Sequence, residues 1–331
     1  MRAMLLEKPR PVDENPLRLA ELPLPVPAAG EIRIRVRACA VCHTDLHIVE
    51  GDLPLPKLPV VPGHQIVGTV DALGEGVTEF REGDRVGVPW LYSTCGECPY
   101  CLKGLENLCE RGRFTGYHVD GGYAEAMVAP AAFAYELPAN FADLDAAPLL
   151  CAGVIGYRAL KLSNVQPGER LGLYGFGASA HIVIQMARHM GCHVYVFTRA
   201  ESHRQMARLL GAEWTGAAGD PAPAELDAAI IFAPAGKLVP EALRALRKGG
   251  TLALAGITMS AIPEIEYRLL YQERVLRSVA NSTREDVRSF LRLAAEIPVR
   301  TEIEPFQLPE ANHALENLKS SRIHGAGVLV I

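Results

Sequence analysis

The residues at positions 95, 98, 101 and 109 are all cysteine, and the run Cys95-Gly-Glu-Cys98-Pro-Tyr-Cys101 packs three of them into seven positions. Four thiolates in so short a stretch can close round a tetrahedral zinc ion, which ties the intervening chain into a small lobe. Such a closed site holds structure, because no coordination position stays open for a substrate. Gaps of two residues favour metal ligation in a reducing compartment over disulfides. Elsewhere stand Cys42-His43-Thr44-Asp45-Leu46-His47, Gly63-His64 and Cys151, which together can supply a second, open metal site. Cys39 and Cys192 lie outside both groups and read as small buried hydrophobes.

The chain has 331 residues, enough for one large or two ordinary domains. Its 49% apolar and 21% charged residues supply ample material for two cores. A net charge of −5 argues against a nucleic-acid footprint. No apolar run approaches the roughly 20 residues that span a bilayer, and the apolar stretch at the N-terminus is too short for a signal peptide. The expectation is a cytoplasmic enzyme with no membrane or nucleic-acid partner.

The first 140 residues read as β-rich. Residues 31–37 alternate apolar and charged side chains, the period of a half-buried strand. Residues 65–70 form another apolar strand, 83–86 follow a glycine turn, and the proline- and glycine-dense stretch 54–63 is a loop. Short strands and frequent turns point to a small barrel-like β domain. From residue 150 the pattern changes. Apolar strands at 171–177, 193–198, 228–232 and 251–255 alternate with helical periods at 178–190, 202–210 and 240–248. That alternation predicts a doubly wound parallel sheet over 152–280, covered on both faces. Helices are predicted over 285–296 and 310–320, and a last strand at 327–331 that returns to the β domain. Trp214 reads as buried.

Gly175-Phe-Gly177-Ala178-Ser179-Ala180 fits the G-x-G-x-x-G/A pattern between a strand and a helix. Gly175 permits the tight turn, Gly177 lets backbone approach a pyrophosphate, and Ala180 is small enough for close helix–strand packing. Amides at the helix start then face the phosphates. The second strand ends in Thr198-Arg199, with Arg204 close behind, where an acidic residue would select NAD. A hydroxyl and guanidinium suit a 2′-phosphate, so NADP is the preferred cofactor and NAD the alternative.

The chain resembles the zinc-dependent alcohol dehydrogenases of the medium-chain dehydrogenase/reductase superfamily. The marks are the 42–47 run, Gly63-His64, Gly83-Asp-Arg-Val86, the cysteine loop, Gly121-Gly-Tyr-Ala124, Leu150-Cys151-Ala-Gly153 and the nucleotide turn. The resemblance implies an α/β fold in which a GroES-like β-rich catalytic domain, residues 1–151 and 281–331, is interrupted by a Rossmann domain. It implies two zinc ions per subunit. Cys42, His64 and Cys151 would bind the catalytic ion, while Cys95, Cys98, Cys101 and Cys109 would bind the structural ion of a lobe at about 92–112.

The implied reaction transfers hydride between a small primary alcohol or aldehyde and the nicotinamide, with the oxygen polarised by zinc. A proton relay would run from Thr44 through the cofactor ribose to His47, with Asp45 fixing the tautomer of His64. Trp90 would narrow the substrate pocket, or simply pack in the core. Three positions depart from the family pattern: Gln65 where relatives carry glutamate, Ala180 for the third glycine, and Ala326 where relatives often present a phosphate-binding arginine. Polyols, ketones or aromatic aldehydes are alternative substrates, and a non-catalytic zinc-stabilised binding protein is the reading from another class. A homo-oligomer, dimer or tetramer, is expected from the resemblance alone.

Overall fold

The strand that begins at Glu31 runs on to Ala40; it alternates as far as Ala38, with Ile32, Ile34, Val36 and Ala38 buried and the arginines between them turned outward, and ends in three consecutive buried residues. This strand is the centre of a seven-stranded sheet in the first of two compact units of the computed structural model. The structure describes residues 1–297 and 299–331. The first unit comprises Met1–Cys151, Asn281–Glu296 and Arg300–Ile331; the second comprises Ala152–Ala280 with Ile297 and Val299.

In the first unit the strand order is Ile303–Gln307, Ala326–Val330, Glu31–Ala40, Ile66–Leu73, Arg85–Val88, Tyr135–Glu136, and Ala126–Pro130 also pairs with the central strand. The C-terminal strand does come back to this sheet, pairing Val328 with Ala40 and Val330 with Ala38 in antiparallel register. Ile32, Ile34, Ile66 and Val86, all fully buried, belong to one core. A separate two-stranded pair joins Leu91 to Phe114 and Ser93 to Arg113. It closes the cysteine run at its base, so the four thiols share one short excursion from the sheet.

The second unit holds a six-stranded, all-parallel sheet in the order Trp214–Gly216, His193–Phe197, Arg170–Tyr174, Leu226–Ile231, Leu246–Leu254, Val275–Ser278. Helices Ala152–Ser163, Ala178–His189, Glu201–Leu209 and Leu238–Ala245 connect or precede the strands. The Arg170–Tyr174 strand has the next strand in sequence on one side and a later one on the other. The order therefore reverses at its carboxyl end, where open parallel sheets bind ligands.

Several elements differ from the sequence reading. The helix expected over 240–248 ends at Ala245, and Leu246–Leu254 is one strand. Arg247 is drawn into extended backbone by ion pairs with Asp227 and with Glu169 at 3.0 Å, a tertiary demand that helix propensity does not register. Trp214 is only half-buried, on the outermost strand, with its ring 5.0 Å from that of Phe197. The helices His43–Glu50 and Ala152–Ser163 and the strand Val275–Ser278 had no counterpart in the periodicity reading.

Candidate active site

Cys42 ends the central strand's exit and caps the helix His43–Glu50. Its Sγ accepts the N–H of Thr44 at 3.3 Å, and Asp45 reaches back to accept the N–H of Cys42 at 2.9 Å. This reciprocal cap anchors the sulfur at the positive end of the helix, where a thiolate is favoured. His64 arrives from the loop before Ile66–Leu73, its Nε2 3.3 Å from Cys42 Sγ. Cys151 follows the 3-10 turn Ala147–Leu150. The donor atoms of Cys42, His64 and Cys151 all lie within 4.8 Å of one another.

Tetrahedral zinc with bonds of about 2.0–2.3 Å needs donors about 3.5–3.8 Å apart, so this set fits the ion. His64 is fully buried, while both cysteines are partly exposed, leaving the sulfur side open. The electrostatics also fit a cation. Hydrogen bonding to Cys151, then burial, pushes the Cys42 thiol well up, because two adjacent sulfurs do not both ionise without a positive charge between them. Burial opposes charge on His64, yet Asp45 and Cys42 outweigh it and hold its pKa up at about 10.

Asp45 is the hub. One oxygen lies 2.8 Å from His64 Nδ1 and the other accepts from Cys42 N, with both the His64 and Asp45 side chains fully buried. Nδ1–H thus belongs to the carboxylate, and Nε2 is left as the donor to a metal. Gly63 adopts φ +100°, and a Cβ there would fall 2.4 Å from Tyr123 Cδ1, so only glycine lets the chain pass the Tyr123 ring directly before His64.

Thr44 is buried, at 7% exposure, on the first turn after Cys42. His47 lies one turn further on, and its Nδ1 is 2.7 Å from Asp52 Oδ2. Asp52 was not singled out in the sequence; a carboxylate directly after the glycine that ends a helix was the available signal. Trp90 sits edge-on to the His64 ring, 4.9 Å between centroids, and is stacked on Phe114 at 5.1 Å and 12°. Tyr117 completes this aromatic group at 5.8 Å. The indole therefore touches the His64 imidazole as well as packing against neighbours, and Phe114 and Tyr117 were missed.

In the lobe, Cys95 Sγ lies 3.9 Å from Cys101 Sγ and 3.5 Å from Cys109 Sγ, spacings that suit an S₄ tetrahedron of about 3.8 Å edge. All eight cysteines of the chain are free thiols. Backbone N–H groups of Glu97 and Cys98 pull the Cys95 thiol down to about 6.

At the switch point of the parallel sheet, Gly175 turns at φ +88°, against Ala233. Gly177 caps the helix Ala178–His189, and a side chain on it would meet no protein atom within 4 Å. That open cradle beside free helix-start amides suits a pyrophosphate. Ala180 is fully buried, and Ser179 faces Gly156 of the preceding helix. The two basic residues part company. Arg204 donates Nε–H to the carbonyl of Thr198 at 2.9 Å and approaches Glu201, whereas Arg199 is exposed. His181, 1% exposed on the same helix, went unremarked in the sequence.

A metal-accepting donor set with one open side, on a chain that also carries a dinucleotide turn, defines a metal-dependent nicotinamide oxidoreductase. The comparisons narrow the class. Residues 28–139 match the alcohol dehydrogenase GroES-like domain and residues 180–296 match the zinc-binding dehydrogenase family. A probable alcohol dehydrogenase AdhA of Mycobacterium tuberculosis is 48% identical, covering 100% of this chain and 97% of that one. An alcohol dehydrogenase of Geobacillus stearothermophilus is 38% identical over 96% and 97%. A cinnamyl alcohol dehydrogenase of Sorghum bicolor superposes with a TM-score of 0.91 at 28% identity, covering 99% and 97%. The chain belongs to the zinc-dependent alcohol dehydrogenase family of the medium-chain dehydrogenase/reductases.

Proposed function

We propose that this alcohol oxidoreductase interconverts small primary alcohols and aldehydes, with two zinc ions per subunit and NADP preferred over NAD. The observation that carries the reading is the meeting of Cys42, His64 and Cys151 around one point, with Asp45 bonded to two of the three. Zinc held there supplies Lewis acidity towards an alcohol or carbonyl oxygen, and the nicotinamide supplies the hydride acceptor or donor.

The chain's own residues do the rest. Two thiolates balance the dication's charge. Buried Thr44 offers a hydroxyl that takes and passes a proton, and His47 receives it at the solvent end. Trp90, backed by Phe114 and Tyr117, walls the pocket on the His64 side and favours slim substrates. The likeness to a cinnamyl alcohol dehydrogenase favours a second reading, an aromatic alcohol, which a panel of ethanol, benzyl alcohol and a sugar alcohol discriminates. Exposed Arg199 supports NADP. Eight free thiols suit a reducing cytoplasm, and no helix among the described residues is long and apolar enough to cross a membrane. A homo-oligomer is supported by the outer strand Val275–Ser278, beside which Tyr267 and Tyr271 are 74% and 60% exposed.

Metal analysis beside turnover tests the core of this. Wild type should carry two zinc ions per subunit; Cys42→Ala should carry one and lose about 10³-fold or more in kcat while keeping its fold. Unchanged turnover in that variant overturns the assignment.

A further inference from the structure

We propose that Asp52 is a positioning residue for His47, holding its imidazole in the tautomer whose Nε2 accepts the proton released by the substrate; this rests on the relay reading above. The geometry begins at the end of the helix His43–Glu50. Gly51, at φ +83°, donates its N–H to the carbonyls of His47 and Ile48, and Asp52 donates its own to the His47 carbonyl at 2.9 Å. This left-handed glycine stop turns the chain back over the last helical turn. A Cβ on Gly51 would lie 2.9 Å from Pro9 Cβ, so the turn is closed to other residues on two counts.

The reversal lays Asp52 Oδ2 2.7 Å from His47 Nδ1. A carboxylate only accepts, so Nδ1 bears the hydrogen and Nε2 presents its lone pair. The imidazolium that forms when Nε2 takes a proton stands beside a negative charge and returns the proton to water. His47 is 17% exposed and Asp52 54%, so the pair joins a sheltered ring to solvent. Around it stand His43 on the same helix, 6.5 Å between ring centroids, and Lys319, which is bonded to Glu50 at 2.7 Å and also feels Asp13 and Asp52.

Asp52→Ala and Asp52→Asn in the full-length zinc-loaded protein test the assignment. Imidazole ¹⁵N spectra, which need no turnover, should show His47 as the Nδ1–H tautomer in wild type, as a mixture of tautomers in Asp52→Ala, and with the Nε2–H tautomer populated in Asp52→Asn, whose amide can donate to Nδ1. In alcohol oxidation, Asp52→Ala should lower kcat about three- to tenfold with KM within about twofold. Asp52→Asn replaces an acceptor-only carboxylate with an amide whose NH2 can donate to Nδ1, so it should not restore kcat and should lower it at least as far as Asp52→Ala. An unchanged tautomer in Asp52→Ala overturns the proposal, as does an undiminished effect of Asp52→Ala in a His47→Gln background. If His47→Gln alone retains full activity, the relay reading falls and takes this inference with it; loss in His47→Gln with an indifferent Asp52→Ala sinks only the inference.

Discussion

Asp45 and His181 show how much one side chain's surroundings matter. Asp45 sits three residues from Cys42 and binds both its backbone and the distant His64, so a single carboxylate orients two candidate metal donors. His181 is the opposite case, an imidazole sealed in the dinucleotide helix with its Nδ1 3.4 Å from the Gly177 carbonyl. Burial drives its pKa down to about 4, only partly offset by backbone bonds at Gly177 and Ala178. The unfolded ring titrates near 6.5, so between those values the unfolded chain binds more protons and stability falls as pH drops. The loss is absent above about pH 7, reaches about 2 kcal/mol at pH 5 and levels off below pH 4. Urea unfolding at pH 7 and pH 5 should show His181→Gln losing about 2 kcal/mol less than wild type across that interval. Equal losses in the two proteins would refute the buried neutral ring.

Elements carry these residues by capping as much as by periodicity. The helix His43–Glu50 spans eight residues, starts on a thiol cap and stops on Gly51, and those two ends place Cys42 and Asp52. The cysteine lobe is braced in a different way. Glu106 accepts the backbone N–H of Arg284 at 2.7 Å and pairs with its guanidinium at 2.8 Å, while that guanidinium lies over Phe133. With few buried apolar side chains of its own, the lobe would depend for rigidity on the zinc proposed for its four thiols. Cys98→Ser should cost one zinc ion per subunit and at least about 5 °C in Tm, with kcat within about threefold of wild type because the Cys42 set is untouched. A Tm equal to that of wild type would contradict a structural ion. The boundaries of such elements were only partly legible. The strand from Glu31 announces itself by alternation, but Leu246 and Arg247 after Ala245 are helix-tolerant residues whose partners, Leu226 and Asp227, lie in another strand.

Across the whole molecule the proposed chemistry is divided: the first unit holds the candidate metal donors, the second the glycine turn proposed for the dinucleotide. Cofactor choice belongs to the second unit. Arg204 is already committed to the Thr198 carbonyl and Glu201, so in the proposed NADP reading recognition of a 2′-phosphate would rest on Arg199. Wild type should prefer NADPH, and Arg199→Asp should shift the kcat/KM ratio towards NADH by about tenfold or more, since the new carboxylate suits ribose hydroxyls and repels phosphate. A wild-type preference for NADH would reject the NADP assignment outright.

Sequence alone settled what is decided within a few positions: the four-thiol lobe, the glycine turn between strand and helix, the switch from β-rich to alternating segments. Spacing and periodicity report how neighbouring side chains point relative to their own backbone, and these features need nothing more. Residue type alone offered Cys42, His64 and Cys151 as a possible second site, but their assignment as one set came from the resemblance, because no local pattern says which distant segments arrive at one point. Tertiary structure alone decided the bond from Asp52 to His47, the contact of Trp90 with His64 and the separation of Arg199 from Arg204. Each depends on a chain reversal or a strand pairing that buries one group and leaves its neighbour free, and burial, unlike spacing, is a property of the folded whole.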